Sequence, residues 1–393
     1  TVRADRWEGH RAAMVLIDTT FGDANGSAPH LLVAPWRAAM LDDAEWDTLA
    51  ASAAEPNPFF ERSFLRPSLD AFDPQGEVKL ALLRIDGRLA GLIPLHHARS
   101  YYGRPIPHLT SWLHDNAFCG VPLIARGFET MFWSMLLRWA DRNAGLAAFL
   151  HLPAIPEHCA PDTALTVLTQ ENARTSGVVE HEIRALLSSD LSPEDYFEQS
   201  LSTKKRKELR RQARRLAEHG ALTVDRAKTP EAIGVFSEKF LALEKASWKG
   251  RAGSSLANDP ASARFFRESL IGAAEAGRVE GLSLRLDGEP IAMLVTFLTP
   301  PGAFSFKTAF DERFSKFSPG VLLQKENLDL LQGEGIEWCD SCAAPDHPMI
   351  DHFWRDQRSL LSRNLSIGGS LRRALGTRLI AYESRKCERS MSQ

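Results

Sequence analysis

The sequence predicts an α/β (α+β) protein that contains two related units of mixed sheet and helices. Amphipathic helical segments alternate with short apolar strands, and the same order of segments returns about 200 residues later. The stretches LLRIDGRLAGLIPL (82–95) and SLRLDGEPIAMLVTF (283–297) share Leu-Arg, an aliphatic residue, Asp-Gly and a following apolar strand. This similarity indicates a duplicated unit, although strand–Asp-Gly–strand hairpins are common enough for a chance match.

The first unit begins after a start rich in Gly, Asn and Ser. Asp86-Gly87 stands between two apolar runs and predicts a tight hairpin turn. Gly145 follows a segment of 3.6-residue periodicity and is a typical residue for the end of a helix. The segments predict, in order, helices at 43–54 and 60–72, strands within 78–103, a helix at 128–145 and a strand at 147–155.

The second unit repeats this order. Asp287-Gly288 marks its hairpin, and its helices and strand are expected at 260–277, 321–331 and 336–339. We therefore expect an N-terminal extension at 1–35, a first domain at 36–185, a second domain at 186–376 and a C-terminal tail at 377–393.

Composition argues against a nucleic-acid-binding or membrane-spanning protein. The formal net charge of the 393 residues is −3, whereas a protein that holds DNA usually has a basic excess over a whole domain. The longest apolar stretch, 291–306, is interrupted by Pro300-Pro301-Gly302, so we expect no integral membrane segment. The start of the chain lacks the apolar core of a signal peptide, and it also lacks Met, which leaves room for an upstream segment. Five cysteines in a long chain favour a cytoplasmic location.

The stretch TKKRKELRRQARRLAEHG (203–220) predicts a helix with one cationic face. Leu209, Ala213 and Leu216 form a narrow apolar stripe, and Ser202 is suited to cap the helix. Lys205 and Arg206 flank the stripe, and the cations opposite it at 100° per residue are Lys204, Lys207, Arg210, Arg211, Arg214 and Arg215. Such a face suits phosphate or carboxylate groups, although a solvated face without any ligand has the same pattern.

A second anion site is predicted where FSFKTAF (304–310), a strand, leads through DERFSKFSPG (311–320) into a helix. Arg313 and Lys316 lie in the connection, and Ser318-Pro319-Gly320 is suited to a tight entry into the helix. Amides at a helix start attract anions, so a diphosphate is expected there. An ordinary strand–loop–helix connection with solvated cations is the alternative.

Three stretches, 204–224, SWKG (247–250) and FKTAFDERFSKFSPGVLLQKENLDLL (306–331), resemble the CelD-type, FemAB-like branch of the GNAT acyltransferase superfamily. The resemblance implies two tandem GNAT-like domains, each a mixed twisted sheet flanked by helices, that share a central cleft. It also implies that only the second domain keeps the acyl-donor pocket. The superfamily's pyrophosphate loop, Q/R-x-x-G-x-G/A, is degenerate in this sequence.

The resemblance further implies which residues bind the two substrates. Those expected to bind acetyl-CoA or another acyl-CoA are Phe306, Lys307, Thr308, Arg313, Lys316, Phe317, Ser318, Gly320 and Val321. Those expected to bind the acceptor are Lys205, Arg206, Arg210, Trp248, Lys249 and Arg355. Arg355 stands where the family more often has Lys and is expected only to bind anions. Trp248 is alternatively a core aromatic residue at the end of a helix.

Acyl transfer needs a base for the nucleophile, and the candidates are Asp340, His347 and Glu244, with His352 also considered. Asp340 ends a strand, a position that is also common for turn formers. Cys339, Cys342, His347 and His352 have spacing similar to that of a zinc knuckle. The connecting residues lack the glycines of a tight knuckle, so no metal is expected.

These observations predict an acyltransferase that moves an acyl group from acyl-CoA to an amine or hydroxyl by direct attack. The acceptor is expected to be a polar small molecule or saccharide, such as an anionic, sugar or amino-acid-derived molecule. Family analogy alone suggests a link to envelope or exopolysaccharide synthesis. One alternative is a FemAB-like transferase that uses aminoacyl-tRNA on a cell-envelope precursor, the only case in which tRNA is a partner. Another is a non-catalytic binding module that has lost its donor pocket.

Overall fold

The computed structural model describes residues 28–333, 335–344, 350 and 353–391. The first-half elements are β1 (His30–Pro35), α1 (Asp43–Ser52), α2 (Arg62–Phe72), β2 (Lys79–Ile85), β3 (Arg88–Ala98), β4 (His108–Ser111), β5 (Leu123–Ile124), α3 (Glu129–Asn143), β6 (Phe149–Pro156), α4 (Ala160–Glu171) and β7 (Ser176–Ser188). Those that follow are α5 (Pro193–Ser200), α6 (Thr203–Ala217), β8 (Leu222–Ala227), α7 (Pro230–Ala246), α8 (Trp248–Arg251), α9 (Pro260–Glu275), β9 (Val279–Leu286), β10 (Glu289–Thr299), β11 (Gly302–Phe310), α10 (Pro319–Glu326), β12 (Trp338–Asp340), β13 (Asp356–Ser366) and α11 (Ser370–Met391).

The predicted α/β class is confirmed. Within the described residues the strands form one mixed sheet of order β1-β2-β3-β4-β6-β13-β7-β12-β11-β10-β9-β8, with β5 paired to β3 and helices packed on the sheet. No helix in this part of the chain has both the length and the hydropathy needed to cross a membrane.

The two Asp-Gly hairpins adopt the same conformation. Asp86 and Asp287 both have φ of 50°, and the glycines after them have φ of 78° and 83°. Two successive positive φ angles define the turn that matches the twist of antiparallel strands, and only Gly adopts the second without strain. The predicted turns β2–β3 and β9–β10 are therefore confirmed.

The last strand of each half lies in the other half of the sheet. β7, which ends the first half, pairs with β12, whereas β13, from the end of the second half, pairs with β6. β7 and β13 also pair with each other at the centre of the sheet. The boundary proposed at residue 186 falls inside β7, so the domain limits remain a proposal, with strands shared between the two halves.

Aromatic side chains from both halves form the contact between them. Phe306 of β11 lies 5.6 Å from Phe64, 5.9 Å from Phe118 and 6.3 Å from Phe59, measured between ring centroids. The arrangements are edge-to-face or tilted, which are favourable for aromatic pairs. The buried helix pair α2–α9 and an ion pair between Arg278 and Glu61 join the halves on the same side.

β4 and β5 both pair with β3, at successive parts of that strand. Residues 112–122 connect β4 to β5 outside the sheet, and we call them the 112–122 loop. Its end is held against β6, because the Gly120 N–H donates to the Ala154 carbonyl at 3.0 Å. Asn57 Nδ2 donates to the carbonyls of Cys119 and Val121 at 3.2 and 2.7 Å. The loop thereby occupies the end of β6 beyond its last pair with β4.

Candidate active site

A gap opens between two parallel strands in the second half. β11 and β12 are paired from Gly302–Trp338 to Phe304–Asp340, where β12 ends. β11 continues to Phe310, and within the described residues no strand pairs with that side of it. Crevices beyond the paired ends of parallel strands are frequent ligand sites in α/β proteins, so this gap is the natural position for an extended substrate.

A β-bulge in β11 sets the direction of the side chains at this gap. Val295 of β10 pairs with Lys307, but the next residue, Thr296, pairs with Ser305, so Phe306 is the extra residue. Directly paired residues point to the same face, and Val295 faces the core beneath α7 and α9. The bulge therefore directs the Lys307 side chain to the face where the two halves meet.

The Lys307 ammonium lies among groups from both halves. Its nitrogen is 5.4 Å from the centroid of the Phe306 ring and 5.9 Å from that of Phe118. Within the described residues it has no hydrogen bond or ion pair. Burial lowers the pKa of Lys307 to about 8, and the positive charge of Lys249 contributes in the same direction. This ammonium is thus poised to exchange its proton near neutral pH.

The 112–122 loop brings further polar groups to the same place. The carboxylate of Asp115 is exposed, and its charge acts to raise the pKa of Lys307. His114 stacks on Phe64 with centroids 5.8 Å apart, and its Nε2 lies 3.0 Å from Ser68 Oγ. Burial lowers the pKa of His114 to about 3, so it is neutral at pH 7. The sequence prediction missed both residues, although SWLHDN directly follows a strand and places a carboxylate at its end.

Three of the predicted residues meet beside Lys307. Lys249 Nζ lies 3.1 Å from Glu244 Oε1 and 3.5 Å from the carbonyl oxygen of Thr308. The second oxygen of Glu244 accepts the Leu256 N–H at 2.8 Å, and the side chain is buried. Both oxygens of Glu244 are therefore engaged, which does not support its predicted role as a base.

Asp340 is completely buried and faces a cation rather than the gap. Its Oδ2 lies 3.3 Å from Arg358 Nη1, and its Oδ1 accepts the Cys342 N–H at 2.8 Å. Arg358 also contacts the Glu55 carboxylate of the first half. These contacts are those of a buried ion-pair network that joins the halves, and they do not support the predicted role of Asp340 as a base. The predicted catalytic His347 lies outside the described residues.

The start of α10 has the predicted tight entry. Ser318 is in the left-handed region with φ of 52°, and Pro319 occupies the first helical turn. The N–H groups of Val321 and Leu322 both donate to the Ser318 carbonyl, at 3.0 and 3.1 Å. Because these two amides are already bonded, a diphosphate at this turn would have to rely on Gly320 and on neighbouring cations.

Those cations are exposed, and one of them has a carboxylate partner. Arg313 Nη2 lies 2.6 Å from Asp311 Oδ2. Lys316 Nζ lies 4.8 Å above the ring of Phe317, which is buried against α6. The predicted donor residues are therefore contiguous from Phe306 to Val321, but the turn is not a preformed cage for a diphosphate.

Helix α6 has the predicted amphipathic orientation. Ser202 Oγ caps it by accepting the Lys205 N–H at 3.3 Å, and Leu209 and Leu216 are buried. Arg206 and Arg210 both contact Glu198 of α5, so the two predicted acceptor-binding arginines are held by a carboxylate.

The outer side of α6 is a separate cationic surface. Its five exposed cations, which have no carboxylate partner among the described residues, are Lys204, Lys205, Lys207, Arg214 and Arg215. The helix contacts the donor connection, since Gln212 Nε2 lies 3.4 Å from the Lys316 carbonyl oxygen. Arg355 is exposed near α5, where its N–H donates to Tyr196 Oη at 2.9 Å.

The alternative prediction for Trp248, a core aromatic residue at the end of a helix, is wrong. Its side chain is 54% exposed, and its backbone N–H donates to Glu312 Oε1 at 2.8 Å. Glu312 also pairs with Arg251 at 2.5 Å, so α8 is fixed to the connection that precedes α10. An exposed indole beside this connection remains available to a substrate. Among the described residues, no group of His, Cys, Asp or Glu is arranged to hold a metal.

Comparisons with known proteins agree with this architecture. Residues 203–347 match the family model described as Acetyltransferase (GNAT) domain. Three similar solved structures are FemX (TM-score 0.55, 11% identity, covering 84% of this chain and 96% of that chain), a conserved protein of unknown function from Bacteroides thetaiotaomicron (0.53, 13%, 83% and 97%), and the C-terminal DUF2156 domain of a protein assigned as a lysylphosphatidylglycerol synthetase in Agrobacterium fabrum (0.51, 12%, 86% and 97%). No curated protein sequence matches the chain.

Residues 203–347 are therefore similar to a GNAT acetyltransferase domain, and the chain as a whole has the fold of FemX. The identities of 11–13% establish the fold and leave the substrates to be argued from the site itself.

Proposed function

We propose that this protein transfers an acyl group from acyl-CoA to an amine or hydroxyl of a polar acceptor, in the cleft that contains Lys307. The observation that carries the proposal is the combination of an open strand gap with a bulge that directs one partly buried ammonium into the contact between the halves.

The donor fits the gap as an added strand. The pantetheine arm of coenzyme A is an extended chain with two amides, and it would lie along the unpaired side of β11 beyond Phe304. Its diphosphate would then reach the start of α10, where the side chains of Arg313 and Lys316 are exposed. The thioester would come to rest at the bulge, next to Lys307.

The chemistry follows from charge development. Attack of the acceptor amine on the thioester carbon places a negative charge on the carbonyl oxygen, and the Lys307 ammonium would stabilise it. Asp115 is an exposed carboxylate whose charge acts on the pKa of Lys307. It would accept the proton from the attacking amine. Collapse of the intermediate breaks the C–S bond, and the departing thiolate would take a proton from Lys307, whose pKa of about 8 suits this donation.

The acceptor would enter from the side of α6. The cationic surface of this helix and the exposed Trp248 favour a polar acceptor with phosphate or carboxylate groups. Arg355, near the neighbouring helix α5, would add a further positive charge.

The test is binding and turnover with acetyl-CoA. Acetyl-CoA should raise the melting temperature, because a ligand that binds only the folded state stabilises it. The variant Arg313→Ala with Lys316→Ala should reduce this rise, whereas Arg264→Ala, an exposed arginine on α9, serves as the matched control. Lys307→Met should keep donor binding but lose transfer to amines by about 100-fold, the cost of removing one oxyanion contact. The absence of any shift with acetyl-CoA would contradict the proposal.

A second candidate donor is aminoacyl-tRNA, favoured by the number of unpaired cations on α6. Five exposed cations on one helix exceed what one coenzyme A molecule can contact, and they match an RNA backbone. A charged RNA minihelix that binds with a steep dependence on salt, together with no response to acetyl-CoA, would select this candidate. In both cases the acyl group would be transferred at Lys307.

A further inference from the structure

Helix α11 presents an apolar stripe to solvent. The side chains of Leu371, Leu375, Leu379 and Tyr382 are 84%, 64%, 36% and 59% exposed. At 100° per residue they fall within an arc of about 80° on the helix surface. Leucines at this spacing normally face a protein core, so a helix that turns them outward needs another apolar environment.

The orientation of this stripe is fixed by the contacts on the opposite side of α11. Ile380 is buried against Tyr101 and Phe149, and a Cβ on Gly376 would overlap the carbonyl oxygen of Ala148. Thr377 Oγ1 lies 2.8 Å from Thr175 Oγ1. Rotation of the helix to bury the leucines would break these contacts, so the stripe is a stable feature of the surface.

Cations surround the stripe. Arg378, Arg385, Lys386 and Arg389 are exposed, and within the described residues none of them has a carboxylate partner. At 100° per residue they lie on or beside the same outward arc. The helix as a whole has six Lys or Arg and two Glu, in a chain whose net charge is −3. On α11, a row of exposed leucines is therefore accompanied by an excess of positive charge.

The surface extends beyond the helix. Leu146, 85% exposed, lies in the loop before β6. Arg372 fixes this loop to α11, because it donates to the carbonyls of Gly145 and Ala147. We call the surface formed by Leu146, Leu371, Leu375, Leu379 and Tyr382 the α11 patch.

We propose that the α11 patch docks on an anionic lipid bilayer, with the leucines and Tyr382 in the headgroup region and the cations on lipid phosphates. Apolar side chains flanked by Lys and Arg on a surface helix are the pattern of interfacial helices. Anionic lipids complement the unpaired charges of Arg378, Arg385, Lys386 and Arg389. A second copy of the chain fits less well, because a two-fold contact would bring the same cations against one another.

The proposal does not rest on the proposed function, since it concerns a different helix and none of the cleft residues. It places the full chain on a membrane surface, with no segment inserted across the bilayer. If the protein is an acyltransferase, this location would bring it to lipid-bound acceptors. A protein with any other function would dock on the bilayer in the same way.

The experiment is co-sedimentation of the full chain with vesicles of phosphatidylglycerol and phosphatidylcholine, compared with phosphatidylcholine alone. We expect binding to the anionic vesicles that weakens with salt. Leu371→Gln with Leu375→Gln should weaken it by at least about tenfold through lost apolar burial. Arg378→Gln with Arg385→Gln should weaken it by about 25-fold, since each cation near an anionic surface contributes about a factor of five.

The matched control is Arg214→Gln with Arg215→Gln, which removes two exposed cations from α6 and should leave vesicle binding unchanged. An equal loss in this control would show general electrostatic adsorption and overturn the proposal. Absence of binding by the unmodified chain would do so as well. A dimer that forms without vesicles and is lost in Leu371→Gln with Leu375→Gln would instead assign the α11 patch to a second copy of the chain. Circular dichroism of each variant establishes that the fold is retained.

Discussion

Replacement of Arg358 by Met tests whether the buried ion pairs at the strand exchange hold the two halves together. The guanidinium contacts Glu55 of the first half and Asp340 of β12, and it stacks 4.2 Å above the centroid of the Trp338 ring. Arg358 is nearly inaccessible to solvent, and Asp340 is completely so. Methionine keeps much of the side-chain volume but leaves both carboxylates without this cation.

The expected loss is large because the charges are buried. Removal of one partner from a buried ion pair costs about 3–5 kcal/mol, since the remaining charge is neither solvated nor compensated. The lost cation–π contact with Trp338 adds about 1 kcal/mol. We therefore expect the free energy of unfolding in urea to fall by about 4–6 kcal/mol at neutral pH.

The loss should depend on pH. Burial already raises the pKa of Glu55 although Arg358 opposes this, and without Arg358 the pKa of this carboxyl rises further. A carboxyl whose pKa is higher in the folded state than in the unfolded chain favours folding when protonated, below its unfolded pKa of about 4. That contribution is lost as the pH rises through the folded pKa. The variant should therefore be closest to the wild type near pH 4 and furthest from it at pH 8.

Two results would refute this reasoning: a loss below about 1 kcal/mol, or a loss that is independent of pH. Asp340→Asn provides the comparison, because it leaves Arg358 paired with Glu55 and should cost about 1–3 kcal/mol. The double variant, Arg358→Met with Asp340→Asn, should lose less free energy of unfolding than the sum of the two single losses, since the two side chains interact. If Asp340 were the catalytic base, its replacement would instead abolish transfer with little change in stability.

Two further predictions concern the cleft. Gly120→Ala should lower the free energy of unfolding by about 1–3 kcal/mol, because the added Cβ would overlap the Pro153 carbonyl oxygen. The control is Gly234→Ala on α7, where the added Cβ would have no atom within 4 Å, and it should be neutral or slightly stabilising. Burial lowers the pKa of Lys307 to about 8, so the unfolded chain binds more protons than the folded protein between about pH 8 and 10, and the free energy of unfolding should rise with pH over this range. Urea unfolding of Lys307→Met should lack that rise. An unchanged pH profile in this variant would contradict the lowered pKa of Lys307.

Local structure could be predicted from the sequence because its signals are local. The helices predicted at 43–54 and 260–277 form at 43–52 and 260–275, and the two Asp-Gly turns have the expected positive φ angles. The exchange of β7 and β13 was not predicted. A strand pattern states that a segment is extended and apolar, but it carries no information on which distant strand becomes its partner. The continuous sheet is therefore a tertiary result that periodicity does not encode.

The site shows the same division between local and distant signals. Lys307 was found because it lies within a stretch that resembles a known family, although it was assigned to donor binding rather than to the reaction. Asp115 was missed because the loop that carries it belongs to the first half and reaches the cleft through tertiary packing, such as that of Phe118 on Phe306. Asp340 attracted a catalytic role by its residue type and strand-end position. Its burial beside Arg358, which a sequence does not reveal, favours a structural role.

The strand exchange also gives a physical reason why a ligand-binding cleft could lie between two halves of one chain. A site made from two independent domains would change whenever the domains moved, since interfaces within a chain are commonly mobile. Here β7 and β13 tie each half into the sheet of the other, and the Arg358 network closes the exchange on both sides. The paired strands thereby limit the relative movement of the two halves, which carry the 112–122 loop and Lys307. If the proposed acyl transfer takes place in this cleft, a loosened exchange should impair it before the protein unfolds, because preorganisation is lost first.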